Sequence, residues 1–203
     1  MDGRFLTAFV LPRKWDVIGY ELKPFSLRHT LALMALESPV LNGDHMATKP
    51  EDIIVFLRIC STDNAFEALG RPTLKDRWKL AWMEASTPYF LRALTLIHEY
   101  MKQCNTTPTT YTKSEQSKNK ENVPSVLGMA TALMARLNMP PEEAWNCTVG
   151  QSVWYLTAFA VSEGADIKIL STEDEQKMGS EKEMLVRIQA EALARAKKEA
   201  AKR

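Results

Sequence analysis

Apolar residues recur at spacings of three and four along most of the chain, and this pattern limits the fold more than any other feature. Two of the clearest sets are Ile53, Phe56, Leu57 and Cys60, and then Phe90, Leu94, Ile97 and Met101. This spacing places the members of each set on one face of an α-helix. Residues typical of turns separate the sets, so we predict a mainly α fold, a multi-helix bundle around an apolar core.

Several predicted helices have recognisable starts. Ser26 and Thr73 each precede a helical pattern, and a hydroxyl at that position can accept a hydrogen bond from the first turn. Thr48 is the expected cap of the helix that begins near Pro50. The helix that begins at Thr73 is predicted to have one apolar and one charged side. The apolar side consists of Leu74, Trp78, Ala81 and Trp82.

Two short segments near the start of the chain are typical of β-strands. Residues 5–11 and 16–22 are rich in aromatic and β-branched side chains, and Pro12 with two basic residues lies between them. This arrangement predicts a small N-terminal β-hairpin. Residues 166–170, "DIKIL", form another candidate strand, which we expect to pair with the hairpin.

The chain divides at a polar segment, residues 105–122, which contains one aromatic and no aliphatic side chain. Such a segment buries too little apolar surface to offset the entropy of ordering it, so we predict a flexible central loop. Residues 1–104 would form the hairpin and a helical region. Residues 123–170 would form a helical pair that packs on it. The alanine-rich residues 171–203 alternate acidic and basic groups, which predicts a long charged C-terminal helix.

Composition and charge exclude several classes of protein. The chain has 203 residues, 45% hydrophobic and 25% charged, with a formal net charge of +1. Such a balance is ordinary for a soluble globular domain and gives no general argument for binding nucleic acid. The uncharged run from Trp145 to Ser162 contains seven polar or small interruptions and predicts a buried helix instead of a membrane span. We see no export signal, so we expect a cytoplasmic protein with reduced cysteines.

Motifs that carry chemistry are missing from the sequence. It contains no GxxxxGK[ST], GxGxxG, HExxH or EF-hand pattern, and its three cysteines include no CxxC pair. His29, His45 and His98 could in principle converge on a metal, but their spacing gives no support for a site. We therefore predict no metal, no cofactor and no enzymatic activity.

Two residues keep an enzymatic alternative open. Cys147 lies near the predicted start of a helix, where the helix dipole lowers a thiol pKa. His98 falls near the apolar stripe of its helix and could act as an acid or base. A small buried thiol and a half-buried structural histidine are the simpler interpretations.

The tryptophans are more informative. Trp145 and Trp154 are nine residues apart, which is about 180° around one continuous helix. A one-sided core cannot bury both, so the helix is either enclosed or presents one face to another molecule. We take the second interpretation as a hypothesis. The predicted partner-binding residues are Trp145, Val149, Trp154, Tyr155 and Ala158.

The stretch "LGMATALMARLNMPPEEAWNCTVGQSVWYLTAFAVSEGADI" resembles a pattern in tail assembly chaperones of long-tailed bacteriophages. In that pattern a helix stops after arginine and leucine, an acidic tryptophan-containing turn follows, and an apolar helix ends in glutamate and glycine. The matching positions are Arg136, Leu137, Asn138, Glu142, Glu143, Ala144, Trp145, Trp154, Tyr155, Glu163 and Gly164. The stretch "YELKPFSLRHTLALMALESPVL" is similar to parts of small phage proteins encoded among tail genes. The two stretches cover about a third of the chain.

The resemblance implies a helical, non-enzymatic protein in the cytoplasm of an infected or lysogenic bacterium. Such a protein would bind the tape measure protein through apolar helical surfaces and help to recruit tail tube subunits. Self-association stays open. The alternative is a structural virion component, such as a head–tail connector or tail completion protein. An enzyme that uses Cys147 or His98 is the third hypothesis.

Overall fold

The computed structural model describes residues 3–10, 14–44, 46–62, 68–112 and 124–169. Within these residues the fold is mainly α, as predicted. The helices are α1 (Gly3–Phe9), α2 (Leu27–Ala35), α3 (Pro50–Ser61), α4 (Leu74–Ala85), α5 (Thr87–Cys104), α6 (Ser125–Leu137), α7 (Pro141–Asn146) and α8 (Val149–Ser162). The strands are β1 (Trp15–Val17), β2 (Tyr20–Leu22), β3 (Thr110–Thr112) and β4 (Ile167–Ile169). No described helix is long and apolar enough to cross a membrane.

Within the described part of the chain, two apolar clusters form the core. The larger one joins the hairpin with α2, α3, α4 and α5, and its centre is aromatic. The Phe25 ring lies 5.8 Å from that of Phe56 and 6.0 Å from that of Tyr100. The smaller cluster joins α2 with α6 and α7. Its buried members are Leu27, Val126, Ala130, Leu133 and Ala144. Helix α2 contributes to both clusters and so connects the two parts of the chain.

The N-terminal hairpin exists, but the prediction placed its first strand wrongly. Residues 5–9 are helical in α1, and both strands lie between Trp15 and Leu22. The strands are joined by Ile18 and Gly19, whose φ angles are 46° and 81°. Two successive positive φ values give the tight turn that matches the twist of paired strands. The Asp16 carboxylate accepts a hydrogen bond from the Gly19 amide and supports this turn.

The predicted strand near residue 167 is also present, with a different partner. Strand β4 pairs antiparallel with β3 and not with the hairpin. Residues 110–112 of β3 belong to the segment that was predicted to be a flexible loop. They form a strand nevertheless, because backbone pairing does not need aliphatic side chains. Residues 113–122 of that segment, and the C-terminal helix predicted for 171–203, lie outside the described residues.

The helix caps agree in part with the sequence. Ser26 and Thr73 accept hydrogen bonds from the backbone amides of His29 and Asp76, as predicted. Thr48 is not the cap of α3, because its hydroxyl donates to the Asp44 carbonyl.

Helix α3 instead follows Lys49, whose amide donates to the Asp52 carboxylate at 2.8 Å. In α6 the buried side is Val126, Ala130 and Leu133, whereas Leu127 is exposed.

Three helices, not the predicted pair, occupy residues 125–162. The break falls at Cys147 and Thr148, where the Leu27 amide donates to the Cys147 carbonyl at 2.8 Å. Thr148 then caps α8 by accepting a hydrogen bond from the Gln151 amide. The backbone contact with α2 therefore ends α7 and fixes where α8 starts.

Gly150 does not split α8; it allows α8 to approach the end of α5. A β-carbon at this position would lie 2.7 Å from the Thr106 carbonyl oxygen and 2.8 Å from that of Cys104. Both are backbone atoms, so relief requires one helix to shift.

We expect Gly150→Ala to lower the free energy of unfolding by about 1–3 kcal/mol, because overpacking outweighs the gain in helix propensity. Urea denaturation followed by circular dichroism measures this change. Propensity alone predicts the opposite sign, so a stabilised variant would show that α8 and α5 are not in close contact.

Candidate interaction surface

Helix α4 turns its apolar side to solvent. Leu74, Trp78 and Trp82 are 78%, 68% and 56% exposed, although they lie on one side of the helix as the sequence predicted. The opposite side, with Asp76 and Met83, is buried. This is the reverse of a typical surface helix, whose apolar stripe faces the core. Such an arrangement marks an interaction site when the exposed groups are large and contiguous.

A buried carboxylate holds α4 in this orientation. Asp76 is 3% exposed and accepts a hydrogen bond at 2.5 Å from the hydroxyl of Tyr20 in β2. Its other oxygen accepts from the Thr73 amide at 2.6 Å and lies 3.6 Å from Nε of Arg58 in α3. Turning the tryptophans inward would remove these partners from a buried carboxylate, and leaving a buried charge without its partners costs about 3–5 kcal/mol.

The same contacts determine the protonation states of Asp76 and Tyr20. Burial alone would raise the pKa of Asp76, but the hydrogen bonds from Tyr20 and Thr73 and the charge of Arg58 together hold that pKa below its usual value. Burial and the adjacent carboxylate raise the pKa of Tyr20 above its usual range. Asp76 is therefore a carboxylate and Tyr20 a protonated donor at neutral pH.

Tyr89, in the first turn of α5, completes the surface. Its ring lies 6.1 Å from that of Trp82, and its hydroxyl accepts a hydrogen bond from Lys79 at 3.1 Å. Trp78, Lys79, Trp82 and Tyr89 line a depression of about 200 Å³. One residue, Ser86, separates α4 from α5, so the four side chains lie on a short helical hairpin. We call Leu74, Trp78, Trp82 and Tyr89 the aromatic face.

The residues predicted from the sequence to bind a partner are divided between two helices. Trp145 belongs to α7, whereas Trp154 belongs to α8, so the argument from one continuous helix is wrong. Trp145 and Val149 are half-buried against the smaller cluster. Tyr155 and Ala158 are exposed. Binding by these residues stays a prediction.

Trp154 is covered by the N-terminal helix. It is 6% exposed, and the ring of Phe5 in α1 meets it edge-on at 5.6 Å. Its Nε1 atom has no hydrogen-bond partner among the described residues. Phe9 makes a similar edge contact with Tyr155 at 5.1 Å. Helix α1 therefore occupies the aromatic side of α8, which the sequence had suggested for a partner.

Cys147 does not have the environment of a catalytic thiol. It follows the last residue of α7, so it lies at the negative end of that helix and not in the first turn of α8. Burial and the Glu143 carboxylate raise the pKa of the thiol to about 11. The sequence-based expectation of a lowered pKa is wrong for this reason.

The histidines occupy separate places. His29 is buried. Its Nδ1 accepts from the Ser26 amide, and its Nε2 donates to the Thr62 carbonyl. His98 is exposed on α5, and His45 lies outside the described residues. Among the described residues, no three His, Cys, Asp or Glu side chains gather as a metal site would require.

One sequence signal for the aromatic face was available. The Thr73-x-x-Asp76 pattern predicts a capping box at the start of α4. Asp76 lies about 200° around the helix from Leu74, on the side opposite the tryptophans. If the capping box is buried against the fold, the side with Trp78 and Trp82 must therefore face solvent. The long-range contact with Tyr20 is what buries the box, and no local pattern indicates it.

Comparison with protein-family models, with curated proteins and with solved structures gave no match to this chain.

The orientation of α4 can be tested through Tyr20. Tyr20→Phe removes a donor from the buried carboxylate, so we expect the free energy of unfolding to fall by about 1–3 kcal/mol. Tyr89→Phe is the matched control, because among the described residues its hydroxyl bonds only to Lys79, in a half-buried contact, and the change should stay within about 0.5 kcal/mol. Equal losses in both variants would contradict the role given to Asp76.

The pH dependence should show the same contact. The folded-state pKa of Asp76 is below its unfolded value, so its stabilisation is complete above the unfolded pKa of about 4 and is lost as pH falls through the folded pKa. The free energy of unfolding of Tyr20→Phe should therefore differ most from that of the wild type above about pH 5 and least in acid. Urea denaturation between pH 2 and 7 measures the difference.

Proposed function

We propose that this protein is a non-enzymatic assembly chaperone or adaptor that binds an apolar helix of another chain on its aromatic face. The observation that supports this most is the outward stripe of Leu74, Trp78 and Trp82 on a helix whose opposite side is anchored by Asp76. Tryptophan is enriched among the residues that dominate binding energy at protein interfaces.

The geometry suits a helical partner. Leu74 and Trp82 are eight residues apart, so the stripe extends about 12 Å, or two helical turns. A partner helix with apolar residues at matching spacings could lie along it, as in helix-in-groove recognition. The depression beside Trp82 and Tyr89 would receive one of its side chains.

The expected affinity is modest. An aromatic side chain buries about 150–250 Å² in full, but Trp78 and Trp82 are only 68% and 56% exposed and Tyr89 is half-buried. The area available on the aromatic face is therefore smaller than the roughly 800 Å² that one partner contributes to a standard interface. We therefore expect reversible binding. Reversible binding suits a chaperone, which must release its partner during assembly.

The resemblance in residues 127–167 and 20–41 supports the more specific proposal. The partner would be the tape measure protein of a long-tailed phage, with tail tube subunits recruited to the complex in the host cytoplasm. An aromatic face would shield apolar segments of the tape measure protein from aggregation until the tube surrounds them.

The test compares two surface variants in cells that assemble tails. A tagged chain should co-purify with the tape measure protein and be missing from finished particles. Trp78→Ala combined with Trp82→Ala should abolish co-purification while changing the free energy of unfolding by less than about 1 kcal/mol, because both rings are mostly exposed. Tyr155→Ala, on the surface suggested by the sequence, serves as the comparison and should retain the partner.

Three results would count against the proposal. Presence in particles at a fixed copy number would favour the structural virion component. Co-purification that is lost only with Tyr155→Ala would move the interface to α8. Failure of the wild-type chain to retain any tape measure protein would contradict the proposed function itself.

A further inference from the structure

The borders of the aromatic face are basic. At about 100° per residue, Lys75 and Lys79 follow one edge of the exposed stripe of α4, and Arg77 follows the other. Lys75 and Arg77 are exposed and Lys79 is half-buried, and the remaining exposed charge of the helix is Glu84, in its last turn. The N-terminal two turns thus present three positive charges around an apolar centre.

None of these three cations is paired with a carboxylate of the described residues. Lys75 Nζ lies 4.3 Å from the centre of the Tyr20 ring, and Lys79 donates to the Tyr89 hydroxyl. The described ion pairs of the surrounding fold use other groups, such as Arg58 with the buried Asp76. Lys75 therefore contacts the Tyr20 ring and Lys79 contacts Tyr89 of the aromatic face, and no described carboxylate neutralises either charge.

We propose that the partner of this face is an acidic amphipathic helix, whose apolar stripe covers the tryptophans and whose flanking glutamates or aspartates pair with Lys75, Arg77 and Lys79. This inference rests on the proposed function and adds the chemistry of the partner. Complementary charge at the rim of an apolar contact fixes orientation and accelerates association.

The charge distribution also gives the partner a direction. The three cations lie in the first two turns of α4, where the helix dipole is positive as well. Glu84 lies at the opposite end. The acidic part of the partner helix therefore lies over residues 75–79, and its neutral or basic part lies near Glu84.

A second copy of this chain fits less well. Glu84 lies on the same edge of α4 as Arg77. An antiparallel copy places each edge against the same edge of its neighbour, so Glu84 would approach Arg77, whereas Lys75 and Lys79 would face equivalent lysines. Two copies bring together six cations and two carboxylates from these positions. Like charges at a contact that excludes water are unfavourable, so the face disfavours self-association.

The test uses two synthetic amphipathic peptides with the full-length chain. Both carry the same leucine stripe, and they differ only in flanking residues, all glutamate in one and all lysine in the other. Fluorescence anisotropy should show at least about tenfold tighter binding of the glutamate peptide at low salt, and the preference should shrink at 0.3 M salt. Trp78→Ala with Trp82→Ala should remove binding of both peptides.

Charge reversal provides the matched variants. The double variant Lys75→Glu with Arg77→Glu should bind the glutamate peptide about tenfold more weakly and the lysine peptide more tightly. Arg77→Glu alone should change both affinities in the same direction. It leaves the Lys75–Tyr20 contact intact, so it serves as the test if the double variant is less stable. Lys102→Glu with Arg136→Glu, two exposed cations on other helices, should leave both affinities unchanged.

The co-purification experiment tests the proposed function, and the peptide experiment tests this inference separately. Four results of the peptide experiment would overturn the inference. They are equal binding of the peptides, binding of neither, a preference for lysine, and unchanged binding by the tryptophan double variant. Equally tight binding of single-stranded oligo(dT) or of phosphatidylserine vesicles would assign the face to another class of ligand. A dimer that Trp78→Ala disrupts, or carbodiimide crosslinks from Lys75 to residues 171–203, would assign it to this chain.

Discussion

The buried Asp76 carboxylate is the constraint on which the exposed surface depends. It takes hydrogen bonds from Tyr20 and Thr73 and the charge of Arg58, so three separate segments meet at one group. A carboxylate in such a place is unfavourable unless every partner is present. The fold therefore fixes which side of α4 faces inward, and the apolar side is left to solvent. An exposed tryptophan pair is the consequence of this polar contact.

The rest of the fold supports a rigid position for that surface. Helix α5 follows α4 after one residue and carries Tyr100 into the aromatic centre of the larger cluster, where its hydroxyl donates to the Lys23 carbonyl. The smaller cluster is joined through α2 and through the close approach at Gly150. A rigid support matters because side chains that are already ordered lose less entropy when a partner binds.

Local patterns in the sequence predicted the helices and two of their caps, because periodicity and capping are short-range. They failed where distant segments decide the structure. Residues 5–9 of the strand expected at 5–11 are helical, and Phe5 and Phe9 pack on aromatic rings of α8. The continuous helix expected through Trp145 and Trp154 is broken by a backbone contact with α2. The predicted binding residues were chosen from that helix, whereas the aromatic face follows from Tyr20, 56 residues away from Asp76.

The most direct measurement of the central claim is site-specific photocrosslinking in cells that also produce the proposed tape measure partner. The crosslinker p-benzoylphenylalanine replaces one residue at a time, either Trp78 on the aromatic face or Tyr155 on α8. The account predicts a crosslinked partner from position 78, with the attachment site in an acidic amphipathic helix, and little product from position 155. Crosslinks from position 155 together with none from position 78 would contradict it.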